Sequence, residues 1–322
     1  MKMKAVIRTK FGLPKIKIKK VEKPTPKDKE VLIKVYAATV NRTDCAILFK
    51  EPFLVRYISD LFKPKYPLTG TDFAGKVEAV GKGVKSFKVG DRVWGFDDEG
   101  LGSHAQYITV SENKALTTIP DSITYQQAAA SAEGVHYAYN FVNKIDLKSG
   151  QNVLVNGATG AIGSAAVQIL KSFDVNVTAV CDGKNTFSIK SMGADRVIDY
   201  TKEEFTNDKI KYDYVFDAVG KSSFEKCKPL LTQGGAYISS ELGYMGQNLF
   251  LALFTPLFSD KKVIFPYPTD IKKSIGFVKK LIKNRKFRPL IDKRYPFEEI
   301  YEAYNYVASG KKIGNVVITM GD

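Results

Sequence analysis

The stretch that decides the fold is Asn152-Val-Leu-Val-Asn-Gly-Ala-Thr-Gly-Ala-Ile-Gly163, running on into Ser-Ala-Ala-Val-Gln-Ile-Leu-Lys171. Asn152–Asn156 is a short apolar run rich in β-branched residues, which reads as a buried strand, and Ala161–Lys171 has helical composition and length. Between them lies Ala158-x-Gly160-x-x-Gly163. At Gly160 the missing side chain lets the backbone approach a pyrophosphate, and at Gly163 it lets helix and strand pack tightly. The helix start then offers free N–H groups and the positive end of its dipole to phosphate. Glycine-rich strand–helix turns also occur without a ligand. Here a second strand, Asn176–Cys181, completes the unit, so Ala158, Thr159, Gly160, Ala161, Ile162 and Gly163 are read as a dinucleotide loop.

Nineteen residues beyond Gly163, at the end of that second strand, stands Asp182 in Cys181-Asp-Gly-Lys-Asn185. A carboxylate there suits the 2′-hydroxyl of NAD and repels a 2′-phosphate. Lys184 and Asn185 offer a cation and a donor for that phosphate, and Lys184 is equally readable as a solvated loop residue. The residues leave NAD and NADP open.

Working outward, strand and helix signals alternate: a helix over 187–192, then strands over 196–200, 212–218 and 236–240. Repeated βα units imply a parallel sheet covered by helices on both faces. Before residue 124 the texture is different, with short strands such as 4–8 and 31–36 punctuated by Pro24, Pro26, Gly81, Gly83, Gly90 and Gly95. After 268 come two helical patterns, Ile271–Lys283 and 297–308, and a last strand over 314–319. The fold class is therefore α/β, with a second, β-rich domain formed from both ends of the chain: residues 1–123 and 268–322 around 124–267.

With 44% hydrophobic and 26% charged residues the chain has ordinary globular composition, which excludes disordered and fibrous classes. Three scattered cysteines, Cys45, Cys181 and Cys227, make neither a disulfide framework nor a thiolate metal site. The longest apolar run, 248–258, contains Pro256 and is about half of the ~20 residues a bilayer span requires. No apolar segment follows the basic start as a secretory signal does. A cytoplasmic protein with no membrane partner is expected.

The ordered motifs Val40-Asn41-Arg-Thr-Asp44, Pro67-Leu-Thr-Gly70-Thr-Asp72-Phe-Ala-Gly75, Val80-Gly81, Phe87-Lys-Val-Gly90-Asp91-Arg-Val93, Met192-Gly-Ala-Asp195, Val197-Ile-Asp-Tyr200, Asp217-Ala-Val-Gly220 and Lys312-Ile-Gly-Asn315 span nearly the whole length. Together with the 158–163 loop they resemble the medium-chain dehydrogenase/reductase superfamily, in its zinc-independent quinone oxidoreductase branch. The resemblance implies a GroES-like catalytic domain with a Rossmann doubly wound parallel-sheet domain inserted in it. It also implies an NAD(P)H-dependent enzyme that reduces quinones or α,β-unsaturated carbonyls by hydride transfer, usually with NADPH and as a homodimer.

Where the metal-dependent alcohol dehydrogenases of this superfamily carry a cysteine and a His–Glu pair, this sequence has Asn41 and Thr71-Asp72. His104 and His136, its only histidines, have no partner at ligand spacing, so no zinc is expected. Without that Lewis acid, hydride addition to an activated double bond is easier to support than alcohol oxidation, because hydrogen-bond donors can carry the enolate charge. A zinc-free, NAD-linked alcohol or aldehyde dehydrogenase is the alternative that Asp182 permits.

The resemblance further places Asn41 near the nicotinamide, His136 at the carboxamide, Tyr200 near the adenosine phosphate, and Ala218, Val219, Gly220 and Asn315 in the cofactor cleft. Asp44 falls near the substrate, and the aromatic insertion 49–65, with Phe53 and Tyr57, covers it. Asn41 and Asp44 are equally readable as helix or turn caps, His136 as a core histidine and Tyr200 as strand core.

The net charge of +15 raises the prior for an anionic partner. Residues 124–267 hold 14 basic and 14 acidic side chains, so the excess lies entirely in the two outer segments. It is not explained by dinucleotide binding. The lysines lack the aromatic interleaving of a nucleic-acid platform, so a nucleic-acid-binding homologue is the weaker reading.

Overall fold

The computed structural model describes residues 1–8, 16–49 and 68–321. The chain forms two compact units, one of residues 1–133, 271–283 and 288–322, the other of 134–270 and 284–287.

In the first unit, β1 (Lys2–Arg8) pairs antiparallel with β2 (Ile16–Glu22). β3 (Glu30–Val40) leads into α1 (Arg42–Phe49), followed by β4 (Asp72–Val80), β5 (Arg92–Phe96), β6 (Tyr107–Ser111), β7 (Leu116–Thr118) and α2 (Tyr125–Ala129). Thr124 and Gln127 form a capping box at the start of α2: the Thr124 hydroxyl accepts the Gln127 N–H while Gln127 accepts from the Thr124 N–H. This helix falls within the first unit, where the sequence reading divides the chain at 123/124. The Tyr125 ring stacks on Tyr36 of β3 at 4.7 Å and under the Arg92 guanidinium at 4.9 Å.

The second unit opens with α3 (Glu133–Val142), whose first residue still belongs to unit one. It continues through β8 (Asn152–Asn156), α4 (Ala161–Lys171), β9 (Asn176–Cys181), α5 (Thr186–Ser191), β10 (Arg196–Asp199) and β11 (Tyr212–Asp217). It is completed by α6 (Phe224–Cys227), β12 (Leu231–Ser239), α7 (Gln247–Phe258) and β13 (Lys262–Ile264). Its six strands are parallel in the order β10-β9-β8-β11-β12-β13. Numbered from β8, that is 3-2-1-4-5-6, the doubly wound dinucleotide-binding order, with the chain reversing direction of progress at β8 and β11. The middle of β8, Val153, Leu154 and Val155, is apolar and buried, as expected of a central strand in a parallel sheet covered on both faces. In α4, Ala161, Ala165 and Ala166 are small enough to lie flat on the sheet, while Val167, Ile169 and Leu170 fill the core at about 1.5–3 kcal/mol each.

The chain then returns to unit one through α8 (Ile271–Lys283), β14 (Ile291–Pro296), α9 (Ile300–Ala308) and β15 (Asn315–Thr319), and the sheet order there is β14-β15-β3-β4-β5-β7, with β6 on β3. In α8, Ile275, Val278, Leu281 and Ile282 are buried and Lys272, Lys273, Lys280 and Lys283 are exposed, the apolar stripe that 3.6-residue spacing dictates. No described helix is long and apolar enough to cross a membrane.

Candidate active site

Parallel strands end on one edge, and in unit two that edge collects the dinucleotide motifs. The registers Asn156↔Val180, Asp217↔Asn156 and Asp199↔Cys181 set the loops 157–163, 182–185, 200–201 and 218–220 side by side. Gly157 leaves β8 at φ +80°, a conformation glycine adopts at no steric cost. A Cβ on Gly163 would stand 2.2 Å from the Gly157 carbonyl oxygen, so helix α4 can lie this close only with glycine there. Around Gly160, by contrast, nothing but Gly157 O comes within 4 Å. Gly160 is the N-cap of α4 and supplies no side-chain cap, so the helix start keeps N–H groups for a ligand. The loop therefore fits the pyrophosphate of a dinucleotide.

Asp217, fully buried at the end of β11, organises the next turn. Its Oδ1 accepts from Asn156 Nδ2 and from the N–H of Gly220, both at 3.0 Å, and its Oδ2 accepts from Ser222 N–H at 3.0 Å and the Tyr237 hydroxyl at 2.8 Å. Asp182 accepts the Lys184 N–H at 2.8 Å and so caps a one-turn 3-10 helix, Gly183–Asn185. Lys184 is exposed, and Tyr200, at 60% exposure, is not strand core. His136 lies on α3 with its ring near Asn140 Nδ2 at 3.5 Å, and burial holds its pKa down to about 4, so it is neutral.

In unit one a buried polar cluster surrounds Asn41. Asn41 Oδ1 accepts the Asp44 N–H at 2.8 Å and Asp44 Oδ2 accepts the Asn41 N–H at 3.1 Å, a reciprocal cap on α1. The Asn41 amide donates to Thr71 Oγ1 at 2.8 Å and Asp72 Oδ2 at 3.1 Å. Asp72 also accepts from the Thr39 hydroxyl and, at 2.6 Å, from the Thr39 N–H. His104 Nε2 lies 2.8 Å from Thr39 O, and its Nδ1 lies 2.9 Å from Thr69 Oγ1. Burial pushes the Asp72 carboxyl up to about 7 against the donors that hold it down. Burial, then the neighbouring Asp72, raises Asp44 well above the carboxylate range. Burial also lowers His104 to about 4 and pushes the Cys45 thiol up to about 12, which leaves that thiol inert.

Of the expected residues, the 158–163 loop, Asp182, Lys184, Asn185, Tyr200 and 218–220 share one sheet edge. Asn41 and Asp44 share one cluster, each side chain accepting the other's backbone N–H, while Asp44 Oδ1 stays buried without a hydrogen-bond partner among the described residues. Asn315 precedes Val316, which pairs with Val40, and its amide donates to Leu290 O at 2.9 Å. Phe53 and Tyr57 lie outside the described residues. The sequence reading passes over Gly157, which makes the tight turn, and over Asp199, Thr39 and His104. Gly157 directly follows the last residue of β8, and that step from strand to glycine is the signal that marks it. Thr39 and His104 join the cluster through hydrogen bonds between distant segments, Thr39 to Asp72 and His104 to Thr39 and Thr69.

Among the described residues no group of three or more His, Cys, Asp or Glu side chains is placed to hold a metal ion. The cluster offers the Asn41 amide, the Thr39, Thr69 and Thr71 hydroxyls, a His104 ring whose two nitrogens both have hydrogen-bond partners, and the buried carboxylates of Asp44 and Asp72.

Residues 27–121 match a family model described as the alcohol dehydrogenase GroES-like domain, and residues 192–318 one described as zinc-binding dehydrogenase. The chain is 31% identical to a 2-methylene-furan-3-one reductase of Solanum lycopersicum, over 98% of this chain and 79% of that one. It is 30% identical to a chloroplastic quinone-oxidoreductase homolog of Spinacia oleracea, over 95% and 94%. The quinone oxidoreductase structure from Coxiella burnetii superposes with a TM-score of 0.84 at 23% identity, covering 99% of both chains, which shows the shared fold. On the doubly wound strand order, the glycine turn and these likenesses, the chain belongs to the medium-chain dehydrogenase/reductase superfamily, in its quinone oxidoreductase-like branch.

Proposed function

We propose that this protein is an NAD(P)H-dependent oxidoreductase that reduces quinones or α,β-unsaturated carbonyl compounds. The observation that carries the reading is the uncapped start of α4 behind Gly157, Gly160 and Gly163, on a chain whose relatives are named for such reductions. Bound there, the nicotinamide cofactor supplies the hydride. The protein's part is to hold the pyrophosphate on backbone N–H groups, to fix the adenosine end with the 182–185 turn, and to exclude water. The donor set around Asn41 supports a reaction that runs without zinc. The outer segments, 1–123 and 268–322 by the sequence reading, are proposed as the catalytic domain.

NADPH is proposed as the preferred cofactor. One Asp182 oxygen is spent on the Lys184 N–H, while the Lys184 side chain is exposed and forms no ion pair among the described residues. The test is oxidation of NADPH and NADH, followed by near-UV absorbance, against a panel of quinones and enals with and without EDTA. Turnover insensitive to EDTA is expected. Silence across the panel with both cofactors contradicts the reading.

A homodimer is proposed through α7 and the edge strand β13. Leu249, Phe250, Leu253, Phe254, Leu257 and Phe258 form one exposed apolar face, with Leu253 at 70% and Phe258 at 82% exposure. Sedimentation velocity should show a dimer that Leu253→Lys dissociates; a monomer at micromolar concentration contradicts it.

A further inference from the structure

Asp182 is one of two carboxylates at the adenosine end of the parallel sheet. Asp199, the last residue of β10, lies in register with Cys181, and its side chain is only 15% exposed. Its Oδ1 accepts from the Gly183 N–H at 3.0 Å, the Thr201 N–H at 3.0 Å and the Thr201 hydroxyl at 2.7 Å, and the Lys202 ammonium stands 3.7 Å from Oδ2. These donors hold its carboxyl below the usual range, so it stays ionised. The contact with Gly183 is close. A Cβ at 183 would stand 2.1 Å from Asp199 Oδ2, so a larger residue there would have to push this carboxylate out of its present position.

The 182–185 turn is thus gripped twice. Asp182 holds it from its own N-cap position through the Lys184 N–H, and Asp199 holds it from the neighbouring strand through the Gly183 N–H. Each carboxylate has spent an oxygen on backbone, and Asp199 is further offset by Lys202. What the turn presents outward is the Lys184 side chain, with Asn185 behind it.

We propose that Asp199 is a positioning residue for cofactor choice: by gripping Gly183 it holds Lys184 and Asn185 at the cofactor's 2′-position and so favours a 2′-phosphate over a free 2′-hydroxyl. The inference rests on the dinucleotide reading of this sheet edge. It makes Asp199, which itself touches no ligand, the reason a turn carrying an aspartate at its cap is suited to a phosphate.

The test is calorimetric binding of adenosine 2′,5′-bisphosphate and of ADP to the full chain and its variants, with melting curves to verify folding. Asp199→Ala weakens the bisphosphate about 10-fold, the loss of one charge-assisted hydrogen bond, and ADP less than about 2-fold. Asp199→Asn keeps an acceptor for the Gly183 N–H and recovers most of the difference. Gly183→Ala produces the same selective loss in the parent chain. It adds little to Asp199→Ala, because the carboxylate it collides with is gone. Should Asp199→Ala fail to fold, Asp199→Asn and Gly183→Ala carry the comparison. Equal losses for the two nucleotides, or additive effects in the double variant, overturn the inference while leaving the dinucleotide site intact. Failure of the parent chain to bind either nucleotide overturns both.

Discussion

Along the sheet edge where β8, β9, β10 and β11 end, the proposed nucleotide site, the open polar groups are backbone N–H groups at the starts of turns and of α4. Around Asn41, in the other unit, the polar groups are side chains, and nearly all of them are bonded to one another. The first arrangement asks for glycines at a few positions and for strands that end together. The second asks for Thr39, Asn41, Asp44, Thr71, Asp72 and His104 to meet from the end of β3, the start of α1, the start of β4 and the segment before β6, and burial there raises the pKa of both carboxylates. A backbone site is rigid and indifferent to pH, whereas a buried carboxylate cluster ties stability to protonation.

The largest expected effect breaks the backbone side of the comparison. Gly163→Val places its Cβ against Gly157 O and the Ala158 Cα, atoms that cannot move without opening the turn. A loss of about 3 kcal/mol or more in urea denaturation is expected, with loss of nucleotide binding. A variant within about 1 kcal/mol of the parent refutes the tight packing.

On the side-chain side, Asp72→Ala leaves the Thr39 N–H and the Asn41 amide short of an acceptor and should cost about 1–3 kcal/mol. The pH dependence follows from the raised pKa. Asp72 binds its proton more tightly folded, at about 7, than unfolded. Its contribution to stability is therefore fully present below about pH 4 and is lost as pH rises through about 7. Asp44 and Glu133, both raised by burial, push the same way. Asp72→Asn should flatten that part of the stability curve, measured as urea midpoints from pH 4 to 8. An unchanged slope contradicts the assignment.

The smallest effect sharpens the contrast within the nucleotide site, where one side chain is asked to act. Lys184→Ala should lower kcat/KM for NADPH about tenfold and that for NADH less than about twofold, since an exposed charge contact is worth about 1–2 kcal/mol to phosphate. Equal losses remove Lys184 from the 2′-position.

Legibility in the sequence follows the same division. The strand Asn152–Asn156, the helix Ala161–Lys171, the strand Asn176–Cys181 and the helix Ile271–Lys283 stand in the structure with the boundaries their patterns predict, because each is set by contiguous apolar patterning, with Gly157 directly after the first strand and Gly183 just beyond the second. The run 248–258, apolar almost throughout, carries no period that distinguishes strand from helix. It forms α7, with Pro256 inside and one apolar face exposed. Helix α2 packs within the first unit, and its Tyr125 stacks on Tyr36, a contact across about ninety residues of chain that local composition does not announce.

The doubly wound sheet, the glycine turn behind β8 and the family are legible in the chain because they depend on short-range spacing and on glycines such as Gly157, at φ +80°, and Gly163, where a Cβ would meet Gly157 O at 2.2 Å. Only the tertiary structure decided what the carboxylates do. Asp182 caps a turn, Asp199 grips it from the next strand, Asp217 gathers five donors, and Asp72 has its pKa raised by burial to about 7 among hydroxyls and an amide. A carboxylate's role is set by its solvation and its partners, and those come from residues that are neighbours in space and not in sequence.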